Sequence, residues 1–421
     1  MKKKNLDFFN SNSWVLLVVF YLVLLFLRVI NGNFLLIDST EYLEVAKYIM
    51  SGEYFSTSDE IISRRPFLYP FFLLFSISFN PCVIVFFQAI LLFLTFRLFD
   101  KTVKFYGINW SFTVSFFVIS TPAIFIYSQL VMSESLVLFL VTALFYVFVV
   151  DFNWNRIKYA QIILVLLAFT KPVFYPFVFV NFIVMLFYFY KVKRFNYWVL
   201  FPVFSILFYL NYNESKFGFK HFSSMENHNL IYYNLYYFKS NNESKETADK
   251  WIVEVQNRVE NLDFKHKNLE YKKIADKEIS THFFSYSFYH FSTGIRGIVD
   301  PGRFDLMTFI DKEDGKQGFL EILNGNKSWK TLFEKPNSLI IYFLLIPVFV
   351  VLILKWFLFV RFYFSKKRNF QQYYFLILIG YCVLVNGPVN CSRYMMPLQL
   401  IIITFVLLSI KEHQSKYASQ N

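Results

Sequence analysis

The sequence predicts an all-α integral membrane protein. It should be a bundle of about nine to eleven transmembrane segments, with juxtamembrane helices in the first outer loop and one extracytoplasmic insertion. Three observations predict this. Of 421 residues, 56% are hydrophobic and only 17% charged, against about 25% charged in soluble domains. Mean hydropathy is +0.42, and the 58 Phe and 29 Tyr would leave large apolar patches on any soluble surface. The apolar residues also fall into runs near the length that crosses a bilayer, roughly 17–25 residues. The net charge of +13 is therefore read as a topology signal beside membrane segments, not as a nucleic-acid footprint.

The runs are approximately 14–31, 66–80, 82–99, 110–128, 131–150, 157–170, 172–190, 196–211, 337–360, 372–388 and 394–410. Lys2-Lys3-Lys4 before the first run could pass for a signal peptide. No small-residue cleavage site follows, so we read a retained first helix with a basic cytoplasmic flank. Further basic clusters stand at Arg97/Lys101/Lys104, Arg156/Lys158, Lys191/Lys193/Arg194, Arg361/Lys366/Lys367/Arg368 and Lys411/Lys416. If all are cytoplasmic, the loop 32–65, the links near 129–134, 170–172 and 387–393, and the stretch 212–336 lie outside. Parity then forbids both 66–80 and 82–99 from crossing. The first is short and carries Pro66 and Pro70, so a re-entrant segment fits, or the charge rule fails at one loop.

Three parts follow: an N-terminal membrane module 1–211, an extracytoplasmic subdomain 212–336, and C-terminal membrane helices 337–421. The subdomain is rich in Asn, Lys, Glu and Tyr. Its stretch 243–281 has helical spacing of Trp251, Ile252, Val255, Val259, Leu262 and Leu269. Cys82, Cys382 and Cys391 form no CxxC pair and the six His show no HxxxH or HExxH spacing, so we expect no disulfide framework, no required metal and no cofactor.

The first outer loop carries the chemistry. Leu43, Ala46, Ile49 and Met50 recur at helical spacing and Gly52 stops the helix, with Ser39 or Thr40 as cap and Asp38 just before it. Asp38 could be a general base for a hydroxyl acceptor, or could simply complement the helix dipole. Arg64 and Arg65 break the positive-inside pattern, and their guanidiniums suit phosphate oxygens. The phosphate could belong to a lipid head group or to a lipid-linked substrate. Glu134 opens a run, Lys171 stands alone between two, and Arg393 precedes the last; ionisable groups at such depth are functional candidates, with snorkelling as the bland alternative. Asp38, Glu41, Arg64, Arg65, Glu134, Lys171 and Arg393 are thus expected on one face of the membrane.

At these residues the chain resembles a known family. Asp38-x-x-x-Tyr42-Leu43-x-x-Ala46, a following Gly, and Arg65-Pro66-x-x-Tyr69-Pro70 look like the first-loop signature of GT-C membrane glycosyltransferases. The nearest group is the protein-mannosyltransferase and aminoarabinose-transferase-like set, glycosyltransferase family 39 and relatives. Ser133-Glu134, Thr170-Lys171-Pro172 and Arg393-Tyr394-x-x-Pro397 follow in that family's order, though the family's frequent Asp-Glu pair reads Asp38-Ser39 here. The resemblance implies a sugar transferred from a polyprenyl-phosphate carrier to a glycan, lipid or protein hydroxyl on the outer face of the cytoplasmic membrane. It implies Asp38 as base and Arg64, Arg65, Lys171 and Arg393 as phosphate neutralisers, with Glu41, Tyr69, Glu134 and Tyr394 also in the substrate site. Two other classes compete. A transporter of lipid-linked saccharides should show pseudo-repeats and midplane polar groups. A polysaccharide polymerase or ligase should place its function in the late loop, around Thr293-Gly294-Ile295-Arg296-Gly297 and Gly302-Arg303.

Overall fold

The protein is described from a computed structural model, which covers residues 13–32, 34–75, 81–150, 152–311 and 336–418. The basic cluster Lys2 to Lys4 lies outside these residues. The described residues fold entirely as helices, turns and loops.

The first apolar run is helix α1 (Trp14–Asn31), ended by Gly32 in the left-handed region at φ 65°. The first outer loop holds α2 (Ile37–Met50), α3 (Glu60–Arg64) and α4 (Leu68–Leu73). Gly52, at φ +78°, follows α2 as the sequence suggested. The cap of α2 differs from expectation. The N-cap is Leu36, and Ser39 sits in the third helical position, its Oγ accepting from the Leu36 N–H at 2.8 Å. Asp38 is therefore inside the first turn, and its carboxylate caps nothing.

The run 66–80 contributes only the six residues of α4 among those described; 76–80 lie outside them. Next comes α5 (Pro81–Phe105), then α6 (Phe112–Ile119) and α7 (Ala123–Tyr127). Two helices, not one continuous run, fill 110–128. The break falls at Ser120-Thr121-Pro122, where Pro122 cannot supply the N–H that a continuous helix needs. Helices α8 (Glu134–Val149), α9 (Ile157–Thr170), α10 (Tyr175–Val192) and α11 (Leu200–Phe217) complete the N-terminal module.

The insertion runs through α12 (Met225–Asn229), a π turn (Leu230–Leu235), α13 (Tyr236–Asn242), α14 (Lys245–Val259), α15 (Phe264–Thr281), α16 (Phe283–Ile298) and α17 (Arg303–Asp311). The single helical stretch read over 243–281 is two helices. Asp263 starts the second by accepting from the His266 N–H at 2.8 Å. Trp251, Ile252, Val255 and Val259 join a separate small core with Ile231, Phe238 and Tyr271, whereas Leu262 and Leu269 are exposed.

The C-terminal part is α18 (Pro336–Ser365), α19 (Phe370–Asn386), the short α20 (Ser392–Met395) and α21 (Gln399–Ala418). Among the described residues, five segments are long and apolar enough to cross a membrane: Cys82–Phe105, Pro172–Val192, Phe343–Ser365, Phe370–Val389 and Ser392–Ser415. Trp14–Ile30 and Glu134–Val149 are shorter apolar helices. The full count of nine to eleven is not reached at this length, because runs such as 110–128 are broken. The chain is a helical membrane protein by composition and architecture.

The bundle has two distinct ends. At one, Lys411 Nζ donates to the Tyr106 and Gly107 carbonyls at 2.8 and 2.9 Å, and Lys366 and Arg368 pair with Glu412. At the other, Asp38 meets residues from four distant segments. Arg65 stands with Asp38, while Lys104 and its neighbours stand with Lys411. One traverse, α5, therefore separates them, and the described part of 66–80 begins on the Asp38 side, next to Arg65.

Candidate active site

Asp38 is brought to the middle of the bundle's Asp38 end by the first turn of α2, and Glu134 by the first turn of α8. Helix N-termini favour carboxylates, so both positions suit the charge. Arg393 comes from the short α20, Lys171 from the extended residue between α9 and a 3-10 turn (Pro172–Phe174), and Arg65 from the residue after α3.

The side chains form one continuous chain of ion pairs. Arg393 Nη2 donates to Asp38 Oδ2 at 2.7 Å, and Arg393 Nε to Glu134 Oε1 at 2.6 Å. Lys171 Nζ donates to the same Glu134 oxygen at 3.1 Å. On the other flank, Arg65 Nη2 donates to Asp38 Oδ1 at 2.8 Å, and its Nε to Glu41 Oε2 at 2.8 Å. Arg64 Nη1 reaches Glu41 Oε1 at 3.2 Å. The burial gradient is steep: the Glu134 side chain is 0% exposed, Asp38 23%, and Arg64 41%.

Three carboxylates face four cations, leaving one positive charge in excess. Glu134 Oε2 is buried without a hydrogen-bond partner among the described residues, so the site also has an acceptor to spare. Asp38 is a weak base at rest. Burial by itself would raise its carboxyl, but the guanidiniums of Arg393 and Arg65 outweigh burial and bring it down to about 2. Each of its oxygens already accepts from a guanidinium.

All seven ionisable residues expected on one face are in this network. The two tyrosines differ. Tyr394 lies under Lys171, its ring centroid 4.7 Å from Nζ, and belongs to the site wall. Tyr69 is fully buried and donates to Gln88 Oε1 at 3.1 Å, with its ring edge-on to Tyr42 at 4.8 Å. It has no face open to a substrate and acts as a support: Tyr42 in turn shares a 3.1 Å hydrogen bond with Ser133 beside Glu134.

A second set of residues was not legible in advance. Asp305 of α17 is buried, accepts from the Tyr127 hydroxyl at 2.5 Å, and also bonds the Ser392 hydroxyl. Asp300 Oδ2 accepts from the Ser392 N–H at 2.9 Å. Ser392 and Tyr127 both flank Arg393, whose guanidinium carbon is 5.7 Å from the Tyr127 ring centroid. These two acids therefore fix the turn that delivers Arg393. The Gly294 and Gly297 positions have a packing role. A Cβ at Gly297 would lie 2.5 Å from the Asn390 carbonyl oxygen, so only glycine lets α16 close on the 387–390 turn.

The insertion is tied to the first loop. Ser224 N–H donates to the Ser63 carbonyl at 3.0 Å and the Ser223 hydroxyl to the Arg64 carbonyl at 2.6 Å. Glu226, in the same segment, accepts from the Ser223 N–H at 3.2 Å and from the Tyr175 hydroxyl at 3.1 Å. Burial raises its carboxyl to about 7, against the lowering effect of those two donors. The insertion is thus anchored beside Arg64, at the exposed flank of the ion-pair network.

No protein-family profile matches the chain, and neither a curated protein nor a solved structure matches it. Among the described residues no group of three or more His, Cys, Asp or Glu is placed to hold a metal ion.

Proposed function

We propose that the protein is a membrane glycosyltransferase of GT-C type, moving a sugar from a polyprenyl-phosphate carrier to an acceptor hydroxyl. The reaction would take place on the extracytoplasmic face of the cytoplasmic membrane. One observation carries the reading: a carboxylate at a helix N-terminus, clamped by two guanidiniums, sits in a network with one cation in excess. That arrangement suits a monoanionic or dianionic phosphate beside a latent base.

The clamp gives the reading a mechanism. In the resting site Arg65 and Arg393 quench Asp38. A phosphate entering between them competes for the same guanidinium protons, drawing them off the carboxylate. Asp38 then recovers basicity and accepts the proton of the acceptor hydroxyl. The hydroxyl oxygen attacks the anomeric carbon as the bond from that carbon to the phosphate oxygen breaks, with inversion. The leaving phosphate's growing charge is met by Arg393, Arg65 and Lys171, already oriented by Glu134 and Glu41. Arg64, more exposed, serves entry. The excess cation and the orphaned Glu134 oxygen both favour a guest bearing an anion and a hydroxyl donor.

The test is binding of the sugar-free carrier, undecaprenyl phosphate, to the full chain in lipid vesicles. Wild type should retain it, and Arg393→Gln should retain it at least about tenfold less, the loss of one charge-assisted contact. Equal retention by the two proteins overturns the phosphate role.

A further inference from the structure

The bundle carries a second concave site, at the end away from Asp38. It is an apolar groove of about 540 Å³ between the first half of α1 and the second half of α5, walled by Leu17, Leu92, Phe93, Phe96 and Phe125. Trp14 also lines it, about 25 Å along α1 from the Asn31 end at the usual 1.5 Å rise per residue. The groove is therefore remote from the ion-pair network. Its rim is open: Trp14 and Phe93 are 52% and 61% exposed.

The polar groups of the groove are unevenly satisfied. Lys104 Nζ donates to Asp100 Oδ2 at 2.7 Å, but Asp100 Oδ1 is buried without a partner among the described residues. The Tyr21 hydroxyl is likewise buried without a partner among the described residues. Arg97 is exposed and makes no ion pair among the described residues. All three line the same groove. Buried polar atoms are rarely left unpaired, so each orphan asks for a guest atom. Asp100 asks for a donor, Arg97 asks for an anion, and the walls ask for hydrocarbon.

From this complementarity we infer that the groove is a binding site for a phospholipid of the leaflet opposite Asp38, with a primary-ammonium head group. An acyl chain lies along Leu17, Leu92 and Phe96. The phosphate meets Arg97, and the head-group ammonium donates to Asp100 Oδ1. The Tyr21 hydroxyl, deeper along the wall, donates to an ester oxygen. A choline head group lacks N–H and cannot satisfy Asp100. The site rests on the membrane reading of the chain and is independent of the transferase reading.

Native mass spectrometry of the full chain in detergent, titrated with dioleoylphosphatidylethanolamine or dioleoylphosphatidylcholine, tests it. The ethanolamine lipid should be retained about tenfold better, the factor for one charge-assisted hydrogen bond. Arg97→Gln should weaken both lipids by a similar factor, since both carry phosphate. Asp100→Asn should erase the preference for ethanolamine while leaving choline-lipid retention unchanged. Tyr21→Phe, which removes an orphaned hydroxyl and so keeps the fold, should weaken both. Equal retention of the two lipids by wild type, unchanged retention in Arg97→Gln, or displacement of both by undecaprenyl phosphate at equal concentration would overturn the assignment.

Discussion

Glu134 is the most deeply buried carboxylate of the ion-pair network, and its removal should carry the largest stability cost. Its Oε1 accepts from Arg393 at 2.6 Å and from Lys171 at 3.1 Å, and the side chain is wholly buried. Glu134→Ala leaves Lys171, only 10% exposed, with no carboxylate. Breaking a buried pair by removing one partner costs about 3–5 kcal/mol, because the remaining charge stays desolvated. Arg393 suffers less, since Asp38 still accepts from it at 2.7 Å. Removing the stranded ammonium as well, in Glu134→Ala/Lys171→Ala, should therefore recover part of the loss. The expected coupling between the two sites is about 1–3 kcal/mol. Glu134→Gln keeps an acceptor oxygen and should cost less than the alanine. Thermal unfolding of the full chain in detergent, followed in parallel for wild type, Glu134→Ala, Lys171→Ala, the double variant and Glu134→Gln, measures this. A Glu134→Ala change within about 0.5 kcal/mol of wild type, as at an ordinary surface site, would refute the buried network. So would a double variant whose loss is the plain sum of the singles.

Further outcomes follow from the same geometry. Arg65 spans two carboxylates from Nη2 and Nε, a fork that an ammonium cannot reproduce. Arg65→Lys should weaken undecaprenyl phosphate retention about tenfold or more, whereas Arg64→Ala, at a half-exposed pair, should change stability by no more than about 1 kcal/mol. Glu226 is raised in the folded protein to about 7 from an ordinary 4.5. Its protonation therefore favours the fold, an advantage complete below about 4.5 and lost as pH rises to about 7. Glu226→Gln should flatten the pH dependence of thermal stability in that window, and an unchanged profile would show that Glu226 does not carry it.

The membrane class and the seven charged residues were readable because of where they stand. The basic clusters mark one end of the apolar runs, and Asp38, Glu134, Lys171 and Arg393 stand at the opposite ends, apart from those clusters. Sequence could place them on one face but could not pair them: that Asp38 is shared between Arg65 and Arg393 depends on four segments meeting. Asp300 and Asp305 were invisible because an acid in a polar stretch is unremarkable until Ser392 and Tyr127 are seen to close on it. The two helices inside 243–281 were hidden by continuous helical spacing, although Asp263 carried the capping signal. The break in 110–128 was hidden by the strongly apolar residues on either side of it, although Ser120-Thr121-Pro122 marked it. Tyr69 looked like a substrate contact because it follows Arg65 in the first-loop motif, and only packing reveals that its hydroxyl faces Gln88.

The proposed role of Asp38 as the base for transfer of a lipid-linked sugar is reached directly by one measurement. Cells lacking the protein would be compared, by mass spectrometry of extracted polyprenyl-phosphate sugars, with cells carrying wild type or Asp38→Asn at equal membrane levels. One lipid-linked sugar should accumulate in the deletion, return to normal with wild type, and stay high with Asp38→Asn. A return to normal with Asp38→Asn, or no lipid-linked sugar accumulating in the deletion, would contradict it.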